Sequence, residues 1–148
     1  MFEIRQVQPK DIFSVIKMAY ETLPERYNPV IFNTVYETFP EGFLVAEKLH
    51  KIVGFIIGIN MSKERVRILM LSVNKAYRRQ GIGSALVKQL LEEMLLKNIQ
   101  QVDLEVKTNN KAAINFYKKH GFNIIETVAN FYQTGEDAHI MRRVLHSS

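Results

Sequence analysis

The segment Arg78-Arg79-Gln80-Gly81-Ile82-Gly83-Ser84 carries the residue types and spacing best suited to chemistry in this chain. It follows a β-rich run and leads into an apolar-periodic stretch holding Ile82, Leu86, Leu90 and Met94, which predicts strand, glycine-containing turn and helix in that order. Glycines at 81 and 83 let backbone N–H groups approach an anion closely, and a helix N-terminus adds roughly half a positive charge at the same place. Arg78 and Arg79 add full charges beside it. The spacing departs from both common nucleotide loops: there is no G-x-x-x-x-G-K-[ST], and position 86 is Leu where a dinucleotide fingerprint has its third glycine. Nucleoside triphosphates and NAD are therefore disfavoured. A lone Gly-x-Gly also serves as a plain flexible helix entry, so its surroundings decide between the two.

Other chemistry is narrowed by what the chain contains. With no cysteine, a cysteine nucleophile, a thiolate zinc site and a disulfide framework are excluded together. His50, His120, His139 and His146 share no metal-ligand spacing, so no metal is expected. The formal charge of +5 suits an anionic ligand or, more weakly, nucleic acid. Outside Arg78–Arg79, Lys118–Lys119 and Arg142–Arg143 the basic residues are scattered, as on a solvated surface. No apolar run approaches the roughly 18–20 residues of a membrane span, and the N-terminus lacks a basic stretch followed by a long apolar one. A cytoplasmic protein without membrane contact is the expectation.

The elements that must position the loop follow from periodicity. A chain of 148 residues, 47% of them apolar, with 7 Gly and 4 Pro, reads as one domain spanning 1–148 with core enough to fold unstapled. Phe2–Val7 alternates like a strand, and Pro9-Lys10-Asp11 opens an amphipathic helix to about Tyr20 with Ile12, Val15, Ile16 and Ala19 on one face. The prolines of Thr22–Pro29 interrupt it, and a short helix to about Phe39 follows. Phe43–Lys48 and Ile52–Met61 form a hairpin around His50-Lys51, and Val66–Val73 continues the antiparallel sheet. After the loop, its helix runs to about Lys97, followed by a strand at Gln101–Lys107, a helix at Asn110–His120 and a stop at Gly121-Phe122. The order β-α-α-β-β-β-α-β-α-β-β predicts a mixed α/β sheet of about seven strands carrying helices.

The loop from Arg78 to Gly83 resembles the Arg/Gln-x-x-Gly-x-Gly/Ala pyrophosphate loop of the GNAT superfamily of N-acetyltransferases. Asn110-x-x-Ala113-x-x-x-Tyr117-x-x-x-Gly121-Phe122 resembles that superfamily's second signature, in the correct order. Within it, Leu23-Pro24-Glu25-Arg26-Tyr27, Leu104-Glu105-Val106 and Phe131-Tyr132 followed by Gly135-Glu136-Asp137-Ala138 are similar to catalytic subunits of archaeal and eukaryotic protein N-terminal (Nα) acetyltransferases. There is resemblance also to the bacterial enzyme that acetylates a ribosomal-protein N-terminus. The resemblance implies a mostly antiparallel sheet with helices on both faces and a splay between strands four and five that receives the pantetheine arm of acetyl-CoA. Leu71, Ser72 and Val73 would then line the arm, Arg78, Arg79, Gln80, Gly81, Ile82, Gly83 and Ser84 would hold the pyrophosphate, and Asn110, Ala113 and Tyr117 would complete the cofactor site.

Acetyl transfer to an amine needs the amine neutral and the departing thiolate protonated. An α-amine with a pKa of about 8 is roughly one-tenth neutral near pH 7, whereas a lysine near 10.4 is well under one-thousandth, so a terminal amine asks less of the base. The resemblance implies Glu105 or Glu25 as that base, working through ordered water, with Tyr117 as proton donor to the CoA sulfur. Each has a structural alternative: Glu25 as a first-turn acid, Glu105 as a surface strand residue, Tyr117 as a core aromatic, Asn110 as a helix N-cap. Where several relatives carry His, this chain has Glu105, and where some carry His or Tyr it has Arg67, so two carboxylates remain in play. Glu25, Tyr27, Phe131 and Tyr132 would wall the slot for the substrate's first residues. Protein or peptide N-termini are the implied partners, with a ribosome or auxiliary subunit beside them and no nucleic acid required. A lysine or small-amine acetyltransferase on the same scaffold, and a non-catalytic acyl-CoA sensor or basic nucleic-acid-binding module, are the competing readings.

Overall fold

Residues 1–145 are described by a computed structural model; His146 lies outside them. The described chain runs β1 (Glu3–Gln6), α1 (Ile12–Thr22), α2 (Val30–Thr38), β2 (Phe43–Lys48), β3 (Lys51–Asn60), β4 (Arg65–Val73), α3 (Ile82–Leu96), β5 (Gln101–Lys107), α4 (Lys111–Lys119), β6 (Asn123–Val128) and β7 (Ala138–Val144). This is the element order that the sequence pattern predicts. Proline and glycine set the helix ends. Pro24 forces Leu23 into extended backbone (φ −99°, ψ 136°), which stops α1, and Phe39, before Pro40, leaves the helical region (φ −150°, ψ 61°) after α2. α4 starts where the Asn110 side chain accepts the Ala113 N–H at 3.1 Å and ends before Gly121, whose φ of +85° suits a residue without Cβ.

The strands form one sheet in the order β1-β2-β3-β4-β5-β7-β6. Every neighbouring pair is antiparallel except β4–β5. That parallel pairing covers only Arg65↔Gln101, Val66↔Val102 and Arg67↔Asp103, after which the two strands part. The expected splay is therefore a fork whose crotch lies at Arg67 and Asp103.

Helices cover both faces, and the central strands are buried accordingly. Phe43 and Val45 of β2, Phe55 and Ile57 of β3 and Met70 of β4 pack with Val15, Met18, Phe32 and Val35 of α1 and α2. Leu44, Ile56, Val66, Ile68 and Leu104 face the opposite way, onto Ile82, Leu86, Leu90 and Met94 of α3 and Ile114 of α4. Each fully buried side chain of this size contributes about 1.5–3 kcal/mol. Register shifts interrupt the ladder at Ala46/Glu47, Ile57/Gly58 and Ile124/Glu126, and the second lies beside the parted strands. Ile57 pairs with Met70 but Gly58 pairs with Ile68, so Leu69 is an extra residue in β4. With this bulge Leu69 and Met70 share the α1–α2 face, whereas Ile68 and Leu71 lie with the α3 side.

One polar knot ties β1, α1 and β2 together. Arg5 donates to both oxygens of Asp11 at 2.7 and 3.0 Å and to Glu47 at 2.8 Å, while the Gln8 N–H donates to Asp11 at 2.8 Å. Burial works against the Asp11 charge, yet the hydrogen bonds from Arg5 and Gln8 outweigh it and hold the carboxyl below its usual range.

Candidate active site

Three cavities meet along the fork. The first, of 370 Å³, is lined by Thr22, Leu23, Leu71, Ser72, Val73, Arg78, Gly83 and Phe116. It shares Leu23 and Leu71 with the second, of 220 Å³, which lies between β4 and β5 and reaches Leu104, Glu105, Val106, Asn110, Ala113 and Tyr117. The second shares Glu25, Tyr27, Glu105, Lys107 and Tyr132 with a 640 Å³ mouth that adds Arg26, Arg67, Phe131, Gln133, Thr134 and Glu136. A slot thus runs from the loop at Arg78–Ser84, through the parted strands, to an aromatic and charged opening. A separate cavity of 480 Å³, beside Arg5, Asp11 and Lys17, lies away from these residues and is open and polar.

At the loop end, Gly81 caps α3 with φ +81°, and a Cβ built there would meet nothing within 4 Å. Arg79 precedes it in the same left-handed region (φ 65°), an uncommon conformation for a residue with a side chain. Gly83 lies one turn-step into the helix, where a Cβ would touch Phe116 at 3.6 Å. The backbone is thus open to an anion at the positive end of a 15-residue helix. Around it, Arg78 donates to the Val73 carbonyl at 3.2 Å, Lys48 donates to Gln80 at 2.9 Å, and the Ser84 hydroxyl meets His120 Nε2 at 3.2 Å. The Ile82 side chain is in the core, which leaves only its backbone for the loop. Burial, with Arg143 and Lys88 nearby, pulls the His120 imidazole below its ordinary pKa.

In the middle of the slot, Tyr117 packs edge-on against Phe116 and Phe122 at ring-centroid distances of 5.1 and 5.5 Å. Burial raises its phenol well above the ordinary value, so the hydroxyl keeps its proton at working pH. Asn110 does cap α4, and it also lines the slot. Leu71 and Val73 are half-buried against the core, while Ser72 is 5% exposed and its hydroxyl is hydrogen-bonded to that of Thr22.

At the mouth the two candidate carboxylates differ. Glu105, whose side chain is 12% exposed, is not a bare surface residue: Arg67 Nε donates to both of its oxygens at 2.7 and 2.8 Å, and Arg67 NH2 bonds it as well. Glu25 has a looser partner, Lys107 Nζ at 3.8 Å. Tyr27 donates to the carbonyl of the bulged Leu69 at 3.4 Å, and burial together with Glu25 raises its pKa. Tyr132 packs edge-on against Phe131 at 5.0 Å, and burial followed by the Glu25 and Glu105 charges pushes its phenol up to about 12.

The fold therefore gathers Glu25, Tyr27, Glu105, Asn110, Ala113, Tyr117, Phe131 and Tyr132 along one slot and leaves Arg79, Gln80 and Gly81 at the loop outside its lining. The sequence reading missed Lys107, Lys48, Phe116 and the bulge at Leu69. Lys107 had a signal, since it lies two residues beyond Glu105 on the same face of a strand. Among the described residues no group of His, Asp and Glu could hold a metal, and no helix is long and apolar enough to cross a membrane.

Residues 10–122 match the Acetyltransferase (GNAT) family. The chain is a GNAT-family acetyltransferase. Members of that family use acetyl-CoA, and the loop, the forked strands and the slot of this acetyltransferase fit a ligand with an anionic end and a long thin arm. An N-alpha-acetyltransferase of Sulfurisphaera tokodaii is 32% identical, covering 95% of this chain and 91% of its own. The structure of Ard1 from Thermoplasma volcanium matches this one with a TM-score of 0.92 and 38% identity over 99% of each chain. Arabidopsis thaliana Naa50, in complex with the bisubstrate analogue CoA-Ac-MVNAL, matches with a TM-score of 0.83 and 30% identity over 96% of this chain and 97% of its own.

Proposed function

We propose that this acetyltransferase acts on the free α-amine of protein or peptide N-termini. The observation that carries this is the mouth: Tyr27, Phe131 and Tyr132 wall a 640 Å³ cleft that continues past Glu25 and Glu105 into the smaller 220 Å³ cavity lined by Tyr117. The names of the relatives agree.

When bound, acetyl-CoA supplies the acetyl group as a thioester and leaves with its sulfur as the site of developing negative charge. The backbone N–H groups from Arg79 to Ser84 hold the pyrophosphate, Arg78 adds charge, and Leu71, Ser72, Val73, Asn110 and Ala113 line the arm. Glu25 takes the proton from the incoming amine, through water, because both oxygens of Glu105 are already engaged by Arg67. Glu105 and Arg67 instead hold the fork in shape. Tyr117, whose phenol is protonated at neutral pH, donates to the sulfur. The cytoplasm is the compartment where such N-termini emerge, from the ribosome directly or by way of an auxiliary subunit.

The test is intact-mass spectrometry of short peptides incubated with acetyl-CoA and the protein, with a matched set whose N-termini are blocked. Gain of one acetyl mass only on free N-termini supports the proposal, and gain on blocked peptides moves the activity to lysine. In the same assay Glu25→Gln loses about 100-fold or more in turnover and Glu105→Gln much less; the reverse order would transfer the role of base to Glu105.

A further inference from the structure

Two loops form the mouth, and a single side chain bridges them. Glu25 belongs to the connection between α1 and α2, and Tyr132 to the connection between β6 and β7. Lys107, the last residue of β5, places its ammonium 3.8 Å from the Glu25 carboxylate and 5.3 Å from the centre of the Tyr132 ring. Its side chain is 28% exposed and lines both the slot and the mouth. Its backbone is fixed from three directions: it pairs with Ala138 of β7, its carbonyl accepts the Asn110 N–H at 2.9 Å, and the following N–H, of Thr108, donates to Asp137 at 3.2 Å. The anchor is therefore rigid where the loops on either side of it are not part of the sheet.

The loops have internal hydrogen bonds but few ties to each other. Tyr132 N–H donates to the Glu136 carbonyl at 3.1 Å and Gly135 N–H to the Tyr132 carbonyl at 2.9 Å, which makes the β6–β7 connection a closed turn. On the other side, the Tyr20 hydroxyl and the Arg26 guanidinium bind carbonyls within the end of α1 and its loop. Contacts between a cation and a carboxylate, and between a cation and an aromatic face, are each modest, but both converge on one atom here.

We propose that Lys107 is a positioning residue that latches the two loops across the mouth, holding Glu25 and Tyr132 on opposite sides of the substrate's N-terminus. The proposal rests on the peptide-terminus reading for its kinetic consequence, while its structural consequence does not depend on that reading. Lys107→Met raises the KM for peptide about tenfold and leaves the KM for acetyl-CoA unchanged. Lys107→Arg restores most of the loss, because guanidinium both pairs with carboxylate and stacks on an aromatic ring. Since the latch works in part through Glu25, Lys107→Met costs markedly less in a Glu25→Gln background than in the wild type.

The latch is also read without turnover, by hydrogen exchange of the free protein. The amides of Tyr132 and Gly135 and those of Leu23, Glu25, Arg26, Tyr27 and Asn28 exchange faster in Lys107→Met than in wild type or Lys107→Arg. Unchanged exchange in both loops, or a peptide KM that does not move, would overturn the latch. Equal losses in the wild-type and Glu25→Gln backgrounds would overturn its action through Glu25. A wild-type protein that acetylates no peptide would instead defeat the substrate reading, and the exchange measurement would still decide the latch.

Discussion

Replacing Arg67 by Met separates what the Arg67–Glu105 pair contributes to the fold from what Glu105 contributes to chemistry. In the wild type the guanidinium reaches both oxygens of a carboxylate whose side chain is 12% exposed, while Arg67 itself is 30% exposed. Orphaning a fully buried charge costs roughly 3–5 kcal/mol. The partial exposure of this pair lowers that to about 2–3 kcal/mol. For a domain of about 150 residues, that is a fall in Tm of about 4–12 °C. Replacing both residues by Met removes the orphan along with the pair, so the double variant returns to within about 1 kcal/mol of wild type. Urea unfolding and calorimetry measure the stabilities, and the peptide assay measures turnover. With Glu25 as base, the double variant keeps turnover within about tenfold of wild type. Single and double variants that melt together would refute a stranding cost, since the loss would then belong to the pair and not to an orphaned Glu105. A double variant that melts like wild type but is as inactive as Glu25→Gln would equally refute the assignment of Glu25 as base.

Gly83→Asp abolishes acetyl-CoA binding in isothermal calorimetry while Tm stays level or rises slightly, because the new Cβ has room beside Phe116 and an acid in the first helical turn is favourable, but the carboxylate confronts the pyrophosphate. Tyr117→Phe lowers turnover about 100-fold with acetyl-CoA affinity intact, and an unaltered rate would remove its proton-donor role. His120 has a folded pKa below its unfolded value near 6.5, so the unfolded chain binds more protons in that interval; the stability it contributes is complete above about pH 6.5 and is lost as pH falls through the lower folded value. Chemical unfolding from pH 7.5 to 5 therefore shows a steeper loss in wild type than in His120→Gln, and parallel curves would contradict this.

Local features were legible because local physics produces them. The glycines at 81 and 83 before an apolar-periodic helix specify an open, positive helix start wherever that helix lies, and Gly81 does adopt φ +81° there. Prolines 24 and 40 stop helices regardless of the surroundings. The continuous apolar runs of β2 and β3 and the periods of α1 and α3 likewise mark side chains that are buried. The tertiary structure decided the rest. No spacing rule places an extra residue at Leu69, since that bulge arises from the register of β4 on β3. Nor does any local signal say that pairing between β4 and β5 ends at Arg67 and Asp103, which is what opens the slot. The partnership of Arg67 with Glu105 joins residues 38 apart, and the meeting of Glu25, Lys107 and Tyr132 draws on three separate segments. The family resemblance named both carboxylates. Only the folded chain shows that a guanidinium engages both oxygens of Glu105 while Glu25 stands 3.8 Å from a single ammonium.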